Sequence, residues 1–211
     1  MNQESTYRSP LIVRETSSGL ERLSIFDQMR TRRALGITGP IEGAMAFDIC
    51  QQILDLERED PNAEITLYVS SNGGEVAAGL AIYDVMRQVS CSVRTVCMDI
   101  AASMGSIVFI AGDRREMLPH AELMIHDPLI PSGAGGSALQ LEKTSKKLME
   151  TRRTLNTILS ERSGLSLKRV QSLTGKESYL SADKAVELGF AHSVIQSAKD
   201  ASAAPQTKKE N

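Results

Sequence analysis

Apolar and polar positions alternate in blocks along the middle of the chain, and each block has the period of one kind of element. "ALGITG" (34–39) is a short β-type run. In "IEGAMAFDICQQILDLERED" (41–60) the apolar residues recur three and four apart until Pro61 ends the pattern, which predicts a helix. "EITLYVSS" (64–71) reads as a strand stopped by "NGGE", "VAAGLAIYDVMRQV" (76–89) as a helix and "SVRTVCM" (92–98) as a strand. "AASMGSIVFIAG" (101–112) reads as an apolar helix. Strand and helix in strict alternation predict parallel strands with crossover helices, an α/β domain.

Beyond Gly112 come two short β-type pieces, "REML" and "ELMIH", then a glycine-rich "PSGAGG". A long helix is expected from about Ser137 to Ser163, because Ser137 with Gln140 forms a capping box and Gly164 suits the stop. Leu141, Leu148 and Leu155 lie seven apart on it with charge between them. So narrow a seam fits either a contact with another chain or an ordinary one-sided surface helix. A short helix "SADKAVEL" and a strand "FAHSVI" close the pattern, and no internal repeat is evident. Residues 1–9 and 198–211 are polar, so both ends are expected to be mobile around a single domain over 10–197.

Composition changes this picture little. With 41% hydrophobic, 24% charged and only 4% aromatic residues, the core must be built from Ile, Leu, Val, Met and Ala. A net charge of −2 gives no electrostatic case for nucleic acid or an anionic membrane. No apolar run approaches the ~20 residues of a membrane span. Cys50, Cys91 and Cys97 sit within apolar stretches, not in paired spacing, which points to buried free thiols in a reducing compartment. The opening "MNQESTYRSP" lacks the apolar centre of a secretory signal. A cytoplasmic location is the expectation.

Three places could carry chemistry. Gly73 and Gly74 stand between a strand and a helix, where free backbone N–H groups and a helix dipole favour an anion or a developing oxyanion; a plain tight turn is the other reading. Ser103 lies at a second such junction, set among alanines where core packing needs no hydroxyl. It is either a small residue tolerated in a tight site or a nucleophile, and its surroundings are not a G-x-S-x-G elbow. A serine nucleophile needs a base. Of three histidines, His120 lies in a polar turn and His192 near the end, whereas His126 ends the apolar run "ELMI" before "DP", at the mouth of a sheet.

Taken together, "NGGEVAAGLAIYD", "CMDIAASMGS" and "LPHAELMIHDP" resemble the ClpP family, the caseinolytic serine peptidase subunit of the ATP-dependent Clp protease. The resemblance runs from about Pro10 to Ile195, and A-A-S-M-G followed at a fixed interval by M-I-H-x-P is specific. It implies the fold that ClpP shares with crotonases, repeated β-β-α units with a protruding long handle helix at about 130–163. It further implies Ser103 as nucleophile, His126 as general base, and the N–H groups of Gly74 and Met104 as oxyanion hole. No cofactor or metal is expected; ATP belongs to an AAA+ unfoldase that feeds unfolded polypeptides to two stacked heptameric rings, a tetradecamer of one chain or of this chain with a sibling.

Four departures from the family pattern stand out. Its third catalytic residue is usually Asp in "D-R-F-L-S-A"; here "GKESYLSA" places Glu177 there. "S-P-G-G" is "SNGG", and "H-Q-P" is "HDP", which sets Asp127 beside the base. Among positions where related chains carry aromatic residues for unfoldase docking, Tyr68 is kept, but Thr66, Gln88 and Glu116 stand at three others. Two alternatives remain: a weakly active or non-catalytic paralogous ring subunit beside an active sibling, and a crotonase-type acyl-CoA enzyme of the same fold, which would not use the Ser–His pair.

Overall fold

The computed structural model describes residues 11–17, 19–130 and 135–196. The expected mobile segments at 1–9 and 198–211 lie outside the described residues, as do residues 131–134 of the glycine-rich stretch. A hairpin of β1 (Ile12–Thr16) and β2 (Gly19–Leu23), apart from the main sheet, leads to a short helix α1 (Ile25–Arg30) capped by Ser24. Three strand–helix units follow: β3 (Ala34–Thr38) and α2 (Gly43–Glu59), β4 (Ile65–Ser71) and α3 (Val76–Gln88), β5 (Val93–Ala102) and α4 (Met104–Ala111). The chain continues through β6 (Arg114–Met117), β7 (Glu122–Ile125), the long α5 (Ala138–Ser163), α6 (Leu167–Thr174), β8 (Ser178–Ser181), α7 (Ala182–Glu187) and β9 (Ser193–Val194).

The α/β class read from the alternation is the class that forms. The main sheet has the order β3-β4-β5-β6-β9, all parallel. Beta-4 is buried at every second residue, and α2 and α3 cover the sheet with Ile49, Ile53, Leu56, Ile82 and Met86. Helix α4 is buried all round, as a sequence apolar but for Ser106, whose Oγ donates to the Ser103 carbonyl, requires. All three cysteines are buried free thiols, and burial pushes Cys97 up to about 12, far from a reactive thiolate.

The structure departs from the sequence reading at β5. This strand does not stop at Met98 but runs to Ala102, so the helix begins at Met104, three residues later than expected. The reason is main-chain pairing. Val69 of β4 pairs with Cys97 but Ser71 pairs with Ala101, so β5 bulges at Met98 and Asp99. Its first half pairs with β6, and its second half, Ile100 to Ala102, pairs in parallel with β7. Alanine accommodates strand or helix alike, and this ladder decides. At the chain's end β9 has only two residues, since the carbonyl of Phe190 turns aside to accept from Arg115 Nε at 2.8 Å.

Helix α5 keeps the expected ends: Ser137 and Gln140 form the capping box, and Gly164 closes it in the left-handed conformation. The leucine seam divides. Leu155 is buried with Leu159 in the core, whereas Leu141 is exposed. The buried end therefore belongs to this chain's own core, while the far end stands clear of it.

Candidate active site

Ser103 sits at the corner between β5 and α4 with φ 53° and ψ −120°, a left-handed conformation that costs a residue with a Cβ. Among the described residues only Arg33, Ser103 and Glu177 are non-glycine positions with positive φ. Neighbouring bonds hold the corner: Ser103 N–H donates to the Met124 carbonyl at 2.9 Å, and the Ser103 carbonyl accepts from Ser106 N–H at 3.0 Å and Ser106 Oγ at 2.6 Å. The first of these continues the β5–β7 ladder, in which Ala102 pairs with Met124. Two residues further along, β7 delivers His126. Its Nε2 lies 2.8 Å from Ser103 Oγ. With the ring proton on Nδ1, Nε2 accepts the serine O–H, the arrangement from which a general base withdraws a proton. His120 and His192 lie elsewhere; His192 Nδ1 accepts from Arg115 N–H at 3.0 Å.

The glycine turn meets this corner. A Cβ on Gly73 would lie 2.7 Å from Ser103 Cβ and 3.0 Å from Met104 N, at φ 99°, so only glycine permits the approach. Sequence reasoning paired Gly73 with Gly74 as one flexible turn and missed this role. Ser71 sets the turn, its Oγ donating to the Gly39 carbonyl at 2.6 Å and accepting from Gly73 N–H at 3.1 Å. Around Gly74, Ile41 N–H donates to the Gly73 carbonyl and Glu75 N–H to the Ile41 carbonyl, a bridge that leaves Gly74 N–H unused. Met104 is the first residue of α4, and its N–H has no acceptor within the helix. Gly74 and Met104 line the same cleft as Ser103.

These groups open on a cleft of about 670 Å³. Ile107, Ile125, Leu155 and Leu159 give it apolar walls, and Glu42 and Glu75 stand at its rim. That Leu155 and Leu159 of α5 reach the cleft was not foreseen; their helical spacing was the available signal.

Glu177 lies on the turn before β8. Antiparallel pairing of β7 with β8 sets Ile125 opposite Ser178, so the next pair in register is His126 with Glu177. The Thr174 carbonyl accepts both Asp127 N–H at 3.0 Å and Glu177 N–H at 3.3 Å, tying the two segments together. The Glu177 side chain itself is exposed and makes no hydrogen bond in this structure. Asp127, the other carboxylate near the base, is occupied: its Oδ2 accepts from Arg152 Nε at 2.6 Å. Among the described residues, no group of three His, Cys, Asp or Glu side chains could hold a metal ion, and no helix is long and apolar enough to cross a membrane.

A strained serine in contact with a strand-end histidine, on a cleft that Gly74 and Met104 also line, suits acyl transfer, and comparison with known proteins agrees. The Clp protease family profile matches residues 17–198. The ATP-dependent Clp protease proteolytic subunit of Streptococcus pneumoniae (strain 70585) is 36% identical over 188 residues, covering 88% of this chain and 96% of that protein. The chain belongs to the Clp protease family, and its activity class is that of a serine-type endopeptidase.

Proposed function

We propose that this chain is the peptidase subunit of a barrel-shaped, ATP-dependent Clp protease that cleaves unfolded polypeptides, with Ser103 as nucleophile. The observation that carries the reading is the 2.8 Å contact between Ser103 Oγ and His126 Nε2 at the mouth of the cleft. Ser103 Oγ attacks the scissile carbonyl as its proton passes to His126, and the oxygen that becomes negative is held by the N–H groups of Gly74 and Met104. His126 then returns the proton to the leaving amine, and water, activated in the same way, releases the acyl group. Glu177 takes the third position, orienting the imidazole from the facing strand register. Its carboxylate must turn inward to do so. No cofactor enters these steps, and ATP is used by the partner unfoldase.

Two stacked heptameric rings in the cytoplasm are the proposed assembly, of this chain alone or with a sibling. The far end of α5 supports it, since Leu139, Leu141 and Met149 are exposed there with no cover in the single chain. An AAA+ unfoldase is the proposed partner, docked on the ring face where Phe26, Met29, Tyr68 and Met98 line a hollow of about 800 Å³. Thr66 lines it too, in place of an aromatic ring. Glu116 is not a stranded charge, because Arg94 pairs with it. The acyl-CoA alternative leaves the Ser–His contact without a purpose.

The test is hydrolysis of a fluorogenic peptide and labelling by a fluorophosphonate probe, with the assembly mass measured alongside. Wild type should react with both, and Ser103→Ala should lose the label and several orders of magnitude of turnover. A labelled or fully active Ser103→Ala variant overturns the assignment.

A further inference from the structure

The base segment is bolted to α5 by one ion pair. Asp127 directly follows His126, and its Oδ2 accepts from Arg152 Nε at 2.6 Å. Both side chains are largely covered, at 25% exposed for Arg152 and 33% for Asp127. Arg152, Leu155 and Leu159 fall at i, i+3 and i+7, so they form one stripe of α5, whose two leucines wall the cleft. The main chain of Asp127 is fixed as well, through its N–H to the Thr174 carbonyl. Asp127 Oδ1, by contrast, is buried without a hydrogen-bond partner. A carboxylate so placed keeps part of its charge uncompensated one residue along the chain from the base.

We propose that Arg152 and Asp127 are positioning residues for His126: the pair seats the base against α5 and balances the charge beside it. This rests on His126 being the general base. Paired, the two charges oppose each other's effect on the base; taken singly, each acts on it with opposite sign. Removing Arg152 leaves a bare carboxylate that favours the imidazolium, and removing the Asp127 charge leaves a guanidinium that disfavours it. Other charged groups of the packed elements are Lys176 and Glu177 on the facing turn and Glu42 and Glu75 on the cleft lining, and all are unchanged in either variant.

The experiment is kcat/KM for a short fluorogenic peptide from pH 5 to pH 9 on the assembled full chain, whose acidic limb reports the free base. Arg152→Gln should move that limb to higher pH by about half a unit, and Asp127→Asn should move it to lower pH by a similar amount. The double variant should return towards wild type, and Arg152→Lys should stay near it. High salt should shrink both displacements. A purely structural pair would lower the rate in both variants without moving the limb, or would move it the same way in both; either result overturns the proposal. If Arg152→Gln does not fold, Asp127→Asn decides alone, since it keeps the shape, and an unmoved limb there refutes the idea. Fluorophosphonate labelling of wild type separates the two levels. An unlabelled Ser103 sinks the active-site assignment itself, whereas labelling with the same pH dependence in every variant sinks only this inference.

Discussion

Replacing Gly73 by alanine tests whether the glycine turn and the serine corner are built as one unit. The new Cβ would stand 2.7 Å from Ser103 Cβ, 2.8 Å from the Ala102 carbonyl oxygen and 3.0 Å from Met104 N. Carbon atoms in good contact lie about 3.5–4.0 Å apart, so turn and corner must separate by roughly 1 Å, and a nucleophile misplaced by about that much can cost ~100-fold in rate. The torsional strain is separate: φ at Gly73 is 99°, and a side chain there costs about 1–3 kcal/mol. In a domain of this size each kcal/mol lowers the melting temperature by about 2–4 °C. Gly164→Ala is the control, since Gly164 also has positive φ, at 77°, but nothing lies within 4 Å of its Cβ position. Both variants should melt a few degrees early, while only Gly73→Ala should lose about two orders of magnitude in peptide kcat/KM and label slowly with a fluorophosphonate. If Gly73→Ala turns over within a few-fold of wild type, the close approach does not set the nucleophile and the reasoning fails.

Three further outcomes are expected. Glu177→Ala should lower kcat by orders of magnitude and Glu177→Asp should change it modestly; an unaffected Glu177→Ala enzyme would mean that the dyad works alone. His192 is held below its ordinary 6.5 by burial first, and then by Arg115 and Arg162. Its folded value is the lower one, so its contribution to stability is complete above pH 6.5 and is lost as pH falls through the folded value. The urea midpoint should therefore drop between pH 7.5 and 5.5, less so in His192→Gln, and equal slopes would refute this. Finally, with Thr66 in the proposed docking hollow, barrels of this chain alone should hydrolyse peptides but degrade a folded substrate poorly with an unfoldase, and robust homomeric degradation would contradict that reading.

The parts of this fold that were legible in the sequence are those where side-chain period and end signals agree. Helix α5 is the clearest, with Ser137, Gln140 and Gly164 marking both ends in advance. Strand β4 and helices α2 and α3 follow the same logic, one face apolar and the other polar. The boundary at Ser103 was not legible, because "IAAS" is neutral between strand and helix and the pairing with β7 that settles it is non-local. Beta-1, β2 and β8 were missed because charged or polar residues interrupt their alternation, and their pairing is again a tertiary fact. At the site, Gly74, Ser103 and His126 were singled out by their places at strand and helix ends, and the motif resemblance to the family supplied Met104 and the role of each. Gly73's steric role and the Arg152–Asp127 pair had no such signal, since both depend on distances between segments remote in the chain.

Helix α5 also has a mechanical consequence. Its 26 residues make a rod about 39 Å long, rooted in the core at Leu155 and Leu159 and exposed at Leu139, Leu141 and Met149. A rod held at one end multiplies small rotations. A tilt of about 5° at the root carries a point some 25 Å away through about 2 Å, and the converse holds with the same leverage. Whatever grips the free end exerts torque on a root that walls the catalytic cleft, so a contact made far from Ser103 has a long arm with which to act on it.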